Sequence, residues 1–192
     1  MVAGSLVALP VGVFDPLPAA DTVLAWLGQI MDPEVPVVSV VDLGIVRGVC
    51  WQEGGQDKDA PLLVVTVTPT YSGCPATEVI AQSIRDALRM HGIPNVKIHT
   101  QLSPAWTTDW MTPQGKEALR AYGIAPPMQG APRADATQVV DIGALLASRV
   151  PVPCPLCGSR TTRLLSQFGS TACKALYQCR DCLEPFDYFK PH

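Results

Sequence analysis

Residues 62–75 read Leu-Leu-Val-Val-Thr-Val-Thr-Pro-Thr-Tyr-Ser-Gly-Cys-Pro, and this stretch decides the fold. Leu62 to Thr68 is a β-branched, apolar run of the kind that forms a buried strand. The sequence then turns through a tight loop, and Pro75 suits the first position of a helix. From Pro75 to His91, Val79, Ile80, Ile84, Ala87 and Leu88 fall on one helical face, and Gly92 suits a left-handed stop.

Working outward, Ile45 to Gln52 alternates Ile45, Arg47, Val49 and Trp51 against Val46, Gly48 and Cys50, as a half-buried strand does. A polar loop from Glu53 to Pro61 joins it to the buried strand as an antiparallel hairpin. Before the hairpin, Asp21 is placed to cap a helix carrying Val23, Leu24, Leu27, Ile30 and Met31, which Asp32-Pro33 ends. After the second helix, Val96, Ile98, Thr100 and Leu102 alternate with Lys97, His99 and Gln101 as a third strand. Thr112 and Pro113 start a further short helix that Gly123 closes. The order αββαβ predicts a small two-layer α+β sandwich over residues 21–123, preceded by an N-terminal extension, residues 1–20. Residues 124–150 read as a linker, and residues 151–192 as a second unit too small to fold by apolar burial alone.

The 192 residues are 47% hydrophobic and only 16% charged, which excludes a disordered, charge-rich chain. The 19 prolines are scattered without a repeat and act as punctuation. No uncharged run is both long and apolar enough to span a bilayer, so no membrane partner is expected. Residues 1–14 are uncharged but contain Gly4, Pro10 and Gly12 and lack a basic start, which speaks against a signal peptide. Seven cysteines, an odd number, fit a reducing, cytoplasmic location.

Four of those cysteines form two Cys-x-x-Cys pairs, Cys154/Cys157 and Cys179/Cys182, separated by 21 residues. Two such turns supply the four thiolates of a tetrahedral site, with strand-like segments at Thr161–Leu165, Ala175–Gln178 and Phe186–Phe189. This is the layout of a β zinc ribbon; a rubredoxin-like iron site uses the same ligands, and a disulfide or redox pair is the competing reading. Residues 151–192 carry five basic side chains against three acidic ones, and four thiolates with a divalent ion cancel that excess. The remainder holds 9 basic and 14 acidic residues, so a phosphate-binding footprint is absent and no nucleic acid is expected.

Cys74 stands apart from the ribbon, at the start of the second helix. Free amides and the positive helix end there favour a thiolate, so a depressed pKa is expected, suited to a nucleophile or a soft metal ligand. An inert packing thiol is the bland alternative. Cys50, inside a strand, is read as a packing thiol; Cys173 reads as a spare ligand or a buried thiol, and the buried thiol is favoured. A cysteine enzyme would need a base, yet His91, His99 and His192 sit in no recognisable motif, while Asp32, Glu34 and Asp42 lie in loops able to converge on one sheet end.

The runs Asp32-Pro33-Glu34-Val35-Pro36, Ser39-Val40-Val41-Asp42-Leu43-Gly44-Ile45-Val46, Thr68-Pro69-Thr70 and Gly73-Cys74-Pro75 resemble the iron–sulfur assembly domain family. That family, once a domain of unknown function, includes SufT-like proteins. The resemblance covers roughly residues 20–105 and implies Cys74 as the functional thiol, with Asp42, Thr68 and Thr70 as its neighbours. Residues 103–112 (Ser-Pro-Ala-Trp-Thr-Thr-Asp-Trp-Met-Thr), 122–127 (Tyr-Gly-Ile-Ala-Pro-Pro) and 168–177 (Phe-Gly-Ser-Thr-Ala-Cys-Lys-Ala-Leu-Tyr) look like the D-protein family of bacterial phenylacetate degradation. That likeness implies an accessory protein, not an enzyme, of the phenylacetyl-CoA ring-epoxidising monooxygenase. Its implied partners are the oxygenase and reductase components, and its implied task is maturation of the reductase's [2Fe–2S] cluster. The implied metals are Zn or Fe in the ribbon and transient Fe or an iron–sulfur cluster at Cys74. One such thiol per chain raises a homodimer pairing two Cys74 residues as the source of a second ligand. The competing functions are a non-catalytic docking subunit and a thiol-dependent enzyme acting on CoA thioesters.

Overall fold

In the computed structural model, which describes residues 16–53, 61–71, 73–128 and 151–191, the opening stretch becomes the centre of a three-stranded sheet. β1 (Val46–Gln52) pairs antiparallel with β2 (Leu62–Val67), and β3 (Val96–Thr100) returns parallel on the other side of β2 after helix α2 (Ala76–Met90). A strand flanked on both sides loses its solvent-facing edges, which is why β2 is the most continuously apolar. Leu63, Val64, Val65 and Val67 are all buried. The first helix, α1 (Ala20–Leu27), packs against β1 and α2. The result is the α+β architecture expected from the sequence.

Several local expectations shift for identifiable reasons. α1 is capped by Ala19 without a side-chain hydrogen bond, and Asp21 sits inside the first turn, where its charge still faces the positive helix end. The helix stops at Leu27 because Gly28 takes the C-cap, leaving Met31 about half exposed. Asp32 then accepts the Glu34 and Val35 amides on Oδ1 (2.8 and 2.9 Å), fixing a turn of its own. Trp51 Nε1 donates to Pro18 O at 2.9 Å, tying the end of the N-terminal extension to β1.

β1 carries a bulge between Val46 and Gly48, so the simple alternation breaks at Arg47. Ile45 and Val46 are both buried, and Arg47 turns out to lie over the Trp110 ring, 3.6 Å from its centroid. Cys50 is exposed, against its reading as a packing thiol. On α2 the buried stripe runs through Ala76, Ile80, Ala81, Ile84 and Leu88, and Val79 is exposed. The polar loop expected between the strands lies, at residues 54–60, outside the described residues.

After β3, helix α3 (Pro113–Ala121) is capped by Thr112, whose Oγ1 accepts from the Gly115 amide at 3.0 Å. The same hydroxyl donates to Asp42 Oδ1 at 2.6 Å, while Asp42 Oδ2 accepts from Ser39 at 2.8 Å. At Gly44, φ is +76° and a Cβ would stand 2.6 Å from Trp110 O, so only glycine lets the two loops meet.

The C-terminal unit is an antiparallel meander of β4 (Thr162–Ser166), β5 (Lys174–Cys179) and β6 (Pro185–Phe189). Of the linker expected over residues 124–150, residues 129–150 lie outside the described residues. Residues 124–128 are packed: Ile124 joins the first core, and Ala125 exchanges backbone hydrogen bonds with β6, through Asp187 O (2.8 Å) and the Phe189 amide (2.9 Å). Strand periodicity makes β6 two-sided. Phe186 and Tyr188 enter a small ribbon core with Val152, Ala175 and Cys179, whereas Phe189 enters the first core beside Trp106. Among the described residues, no helix is long and apolar enough to cross a membrane.

All four tryptophans precede residue 111, so their fluorescence reports the first core alone. Phe189→Ala, a change in the ribbon's last strand, is expected to destabilise that core by about 3–5 kcal/mol in urea melts followed by tryptophan. An unchanged tryptophan transition would show that the two units fold independently.

Candidate functional site

The ribbon cysteines come from two turns built alike. Gly158 follows Cys157 with φ +76°, and Leu183 follows Cys182 with φ +66°, so each pair is closed by a left-handed residue. The Sγ atoms of Cys154, Cys157, Cys179 and Cys182 all lie within 4.8 Å of one another. Cys154 and Cys182 are 3.7 Å apart and Cys157 and Cys179 3.6 Å. A tetrahedron with metal–sulfur bonds of about 2.3 Å has edges of about 3.8 Å, so the four donors fit one zinc-sized ion. The Cys182 amide donates to Cys179 Sγ at 3.5 Å and, ahead of other causes, holds that thiol below its ordinary value, at about 6. The four thiols together form a group able to hold one metal ion.

Cys74 lies on the loop between β2 and α2, half-buried, one residue before the Pro75 N-cap. Its amide donates to Tyr71 O at 3.1 Å, and Thr77 Oγ1 donates to its carbonyl at 2.9 Å. Contrary to the depressed value expected at a helix start, its thiol is pushed up. Burial is the largest cause; the Ala76 amide opposes it, while the charges of Glu34 and Asp32 add to it. Helix-end stabilisation is present here but is outweighed by desolvation and like charge. The thiol therefore stays protonated at neutral pH.

The expected neighbours divide. Thr68 and Thr70 are buried on the same loop, and Thr68 Oγ1 has no hydrogen-bond partner among the described residues. Asp42 has both carboxylate oxygens engaged by Ser39 and Thr112, which anchors α3. The carboxylates whose charge reaches Cys74 are instead Asp32 and Glu34. Of the histidines, His91 stacks on Trp26 at 4.1 Å and His99 is exposed on β3. His192 lies outside the described residues.

The buried-thiol reading of Cys173 agrees with the structure, but its neighbours, Glu34 and Tyr71 among them, were not legible in the sequence. Cys173 is buried at the ribbon's edge and packs into the first core, where Tyr71 and Cys74 also pack. Its Sγ donates to Glu34 Oε2 at 3.7 Å and lies 3.0 Å from Thr171 Oγ1. Burial pushes its thiol up to about 11, with Glu34 adding to the rise. Glu34 precedes Cys173 by 139 residues, so only the docking of the ribbon reveals the pair.

Comparison with known proteins places this geometry among relatives. Residues 20–99 match a family model described as "Iron-sulfur cluster assembly protein", and residues 141–190 match one described as "PaaD zinc beta ribbon domain". An Escherichia coli K12 protein, named as the D component of 1,2-phenylacetyl-CoA epoxidase, is 47% identical over 175 residues, covering 90% of this chain and 93% of that one. The Fe-S protein maturation auxiliary factor YitW of Bacillus subtilis is 34% identical over 102 residues, 52% of this chain and 91% of its own length. A maturation auxiliary factor of Porphyromonas gingivalis is 31% identical over 109 residues, 56% of this chain and 94% of its own.

With the ribbon thiols ligated, iodoacetamide labelling at graded pH, read by mass spectrometry, is expected to modify exposed Cys50 before Cys74. Labelling of Cys74 should become half-maximal only above the ordinary thiol range. Faster labelling of Cys74 than of Cys50 at pH 7 would contradict a raised Cys74 pKa.

Proposed function

The chain belongs to the family of the Escherichia coli 1,2-phenylacetyl-CoA epoxidase D component, and from that membership we propose an accessory, non-enzymatic maturation factor for a phenylacetyl-CoA ring-epoxidising monooxygenase. In this reading Cys74 takes up iron or an iron–sulfur cluster and passes it to the reductase component. Residues 21–123 form the assembly unit, and residues 151–192 form a zinc-holding ribbon that docks on the client. The protein works in the cytoplasm, where its thiols stay reduced.

The observation that carries this reading is the state of Cys74. Thiolates are the ligands iron–sulfur centres require, yet this thiol is half-buried and held protonated beside two carboxylates. A thiol-dependent enzyme needs a ready thiolate at neutral pH, and this environment works against one. A metal cation reverses the balance: it displaces the thiol proton, and the carboxylates that resisted ionisation then stabilise the loaded state. Uptake and release thus become one proton-coupled equilibrium. The Thr68 hydroxyl, which has no hydrogen-bond partner among the described residues and lies on the loop that leads to Cys74, fits a polar group whose partner arrives with the cargo.

The ribbon's part follows from its surface. Leu156, Phe168 and Leu183 are well exposed, and its loaded charge is near neutral. A protein client suits such a surface better than a polyanion.

When the reductase is produced together with Cys74→Ala, its iron and acid-labile sulfide per chain are expected to fall several-fold relative to wild type. The variant itself should keep its circular dichroism spectrum and ribbon metal. A fully loaded, active reductase in that background would remove the maturation reading and leave a structural subunit.

A further inference from the structure

The ribbon carries a second feature that the four-cysteine group does not use. A cleft of about 440 Å³ lies along β4, lined by residues 160–164, with Tyr177 and Arg180 from across the β4–β5 pair. Arg160, Arg163 and Arg180 border it, all three are exposed, and no acidic side chain among the described residues lines it. The Arg180 amide donates to Thr161 O at 2.8 Å, which sets Arg180 beside the start of β4. Gln178 Oε1 accepts from Arg163 Nε at 3.1 Å and from Nη2 at 2.7 Å, holding that guanidinium without neutralising it. Leu164 and Tyr177 supply an apolar wall, and Tyr177 is braced by Phe186 and Tyr188 at ring separations of 5.9 and 5.6 Å.

The other described arginines are all partnered. Arg85 pairs with Glu78, Arg89 with Asp86 and Arg120 with Glu117, while Arg47 lies over the Trp110 ring. Among the described residues no carboxylate pairs with Arg160, Arg163 or Arg180. Asp181, next in sequence to Arg180, is engaged by Ser159 instead. Three like charges around one cleft repel each other, and an incoming anion relieves that repulsion.

Arginine forks match carboxylate and phosphate oxygens alike, so the shape of the cleft decides between them. Its five consecutive lining residues span roughly 13 Å at the rise of a strand, enough for several residues of an extended chain. β4 is also an edge strand, paired only with β5 among the described residues, so its outer backbone groups can take up another strand. A phosphate group would meet the arginines and leave that edge unused. We propose that the cleft docks an acidic, extended segment of the protein client, its carboxylates paired with Arg160, Arg163 and Arg180 and its backbone laid along β4. The identity of the partner rests on the maturation reading above; the place and chemistry of the contact rest on the ribbon itself. A ribbon of near-zero loaded charge can then still select an anionic segment, because the selection is confined to one cleft.

The test uses the full chain with zinc in the ribbon and follows the fluorescence anisotropy of fluorescein-labelled hexaglutamate at low ionic strength. Wild type should bind saturably, with an affinity that falls as salt is added. Arg160→Gln, Arg163→Gln and Arg180→Gln combined should weaken binding roughly tenfold or more. Arg85→Gln, Arg89→Gln and Arg120→Gln combined make the same change in net charge and should stay within about twofold of wild type. Circular dichroism and ribbon zinc serve as the folding check. Amide exchange along residues 162–166 of the wild type needs no variant and should slow when hexaglutamate is bound. No saturable binding by wild type, an equal loss in the control triple variant, or unchanged exchange along β4 overturns the proposal. Displacement of the peptide by pyrophosphate at lower concentration than by unlabelled hexaglutamate overturns it too, and assigns the cleft to a phosphate ligand. Each of these leaves the maturation reading standing, since that is judged by reductase iron in the Cys74→Ala background. A fully loaded reductase there removes the maturation reading and leaves peptide binding at the cleft intact.

Discussion

Phe189 lies on the last strand of the C-terminal meander, yet its ring is fully buried beside Trp106 in the core of the preceding unit. Much of the rest of the arrangement depends on that placement. A three-stranded unit of about forty residues cannot be held by apolar burial alone, and β6 answers this by facing two cores. Phe186 and Tyr188 fill the ribbon, Phe189 fills its neighbour, and Ala125 stitches the strand to the segment that follows α3. With β6 fixed there, the turn before β5 brings Cys173 to Glu34. The four-cysteine group and the docked strand thus do different jobs. One can hold a metal that closes the ribbon; the other orients the ribbon on the sheet unit.

The character of Cys74 is set within the sheet unit itself. A thiol at a helix start in open solvent would ionise readily. Here the N-terminal amides contribute, but burial and the charges of Glu34 and Asp32 prevail. The competition sets the chemistry: a protonated thiol is a poor nucleophile and a latent metal ligand. Desolvation, which makes the empty site unfavourable to charge, also strengthens attraction for a cation once one arrives.

The parts of the fold legible in the sequence were those governed by local rules. The β2–loop–α2 unit followed from a β-branched run, two prolines and an amphipathic stripe, and the four ribbon thiols followed from Cys-x-x-Cys spacing. What stayed hidden depended on contacts distant in sequence. The bulge between Val46 and Gly48, the stacking of Arg47 on Trp110 and the exposure of Cys50 were among the hidden features. Asp42 belonged to the α3 cap through Thr112, seventy residues on, rather than to Cys74. Cys173 read as a packing thiol because no spacing rule links it to Glu34. Only the two-sidedness of β6 does, and Phe186-Asp187-Tyr188-Phe189 carried that hint in its alternation.

The central claim is that Cys74 holds iron which the ribbon cannot account for. Anaerobic purification followed by iron, zinc and acid-labile sulfide analysis, for wild type and Cys74→Ala in parallel, tests it most directly. Iron should accompany the wild type in excess of one ribbon metal, and Cys74→Ala should retain only the ribbon metal. Equal iron in the two proteins, or none in either, would contradict the claim.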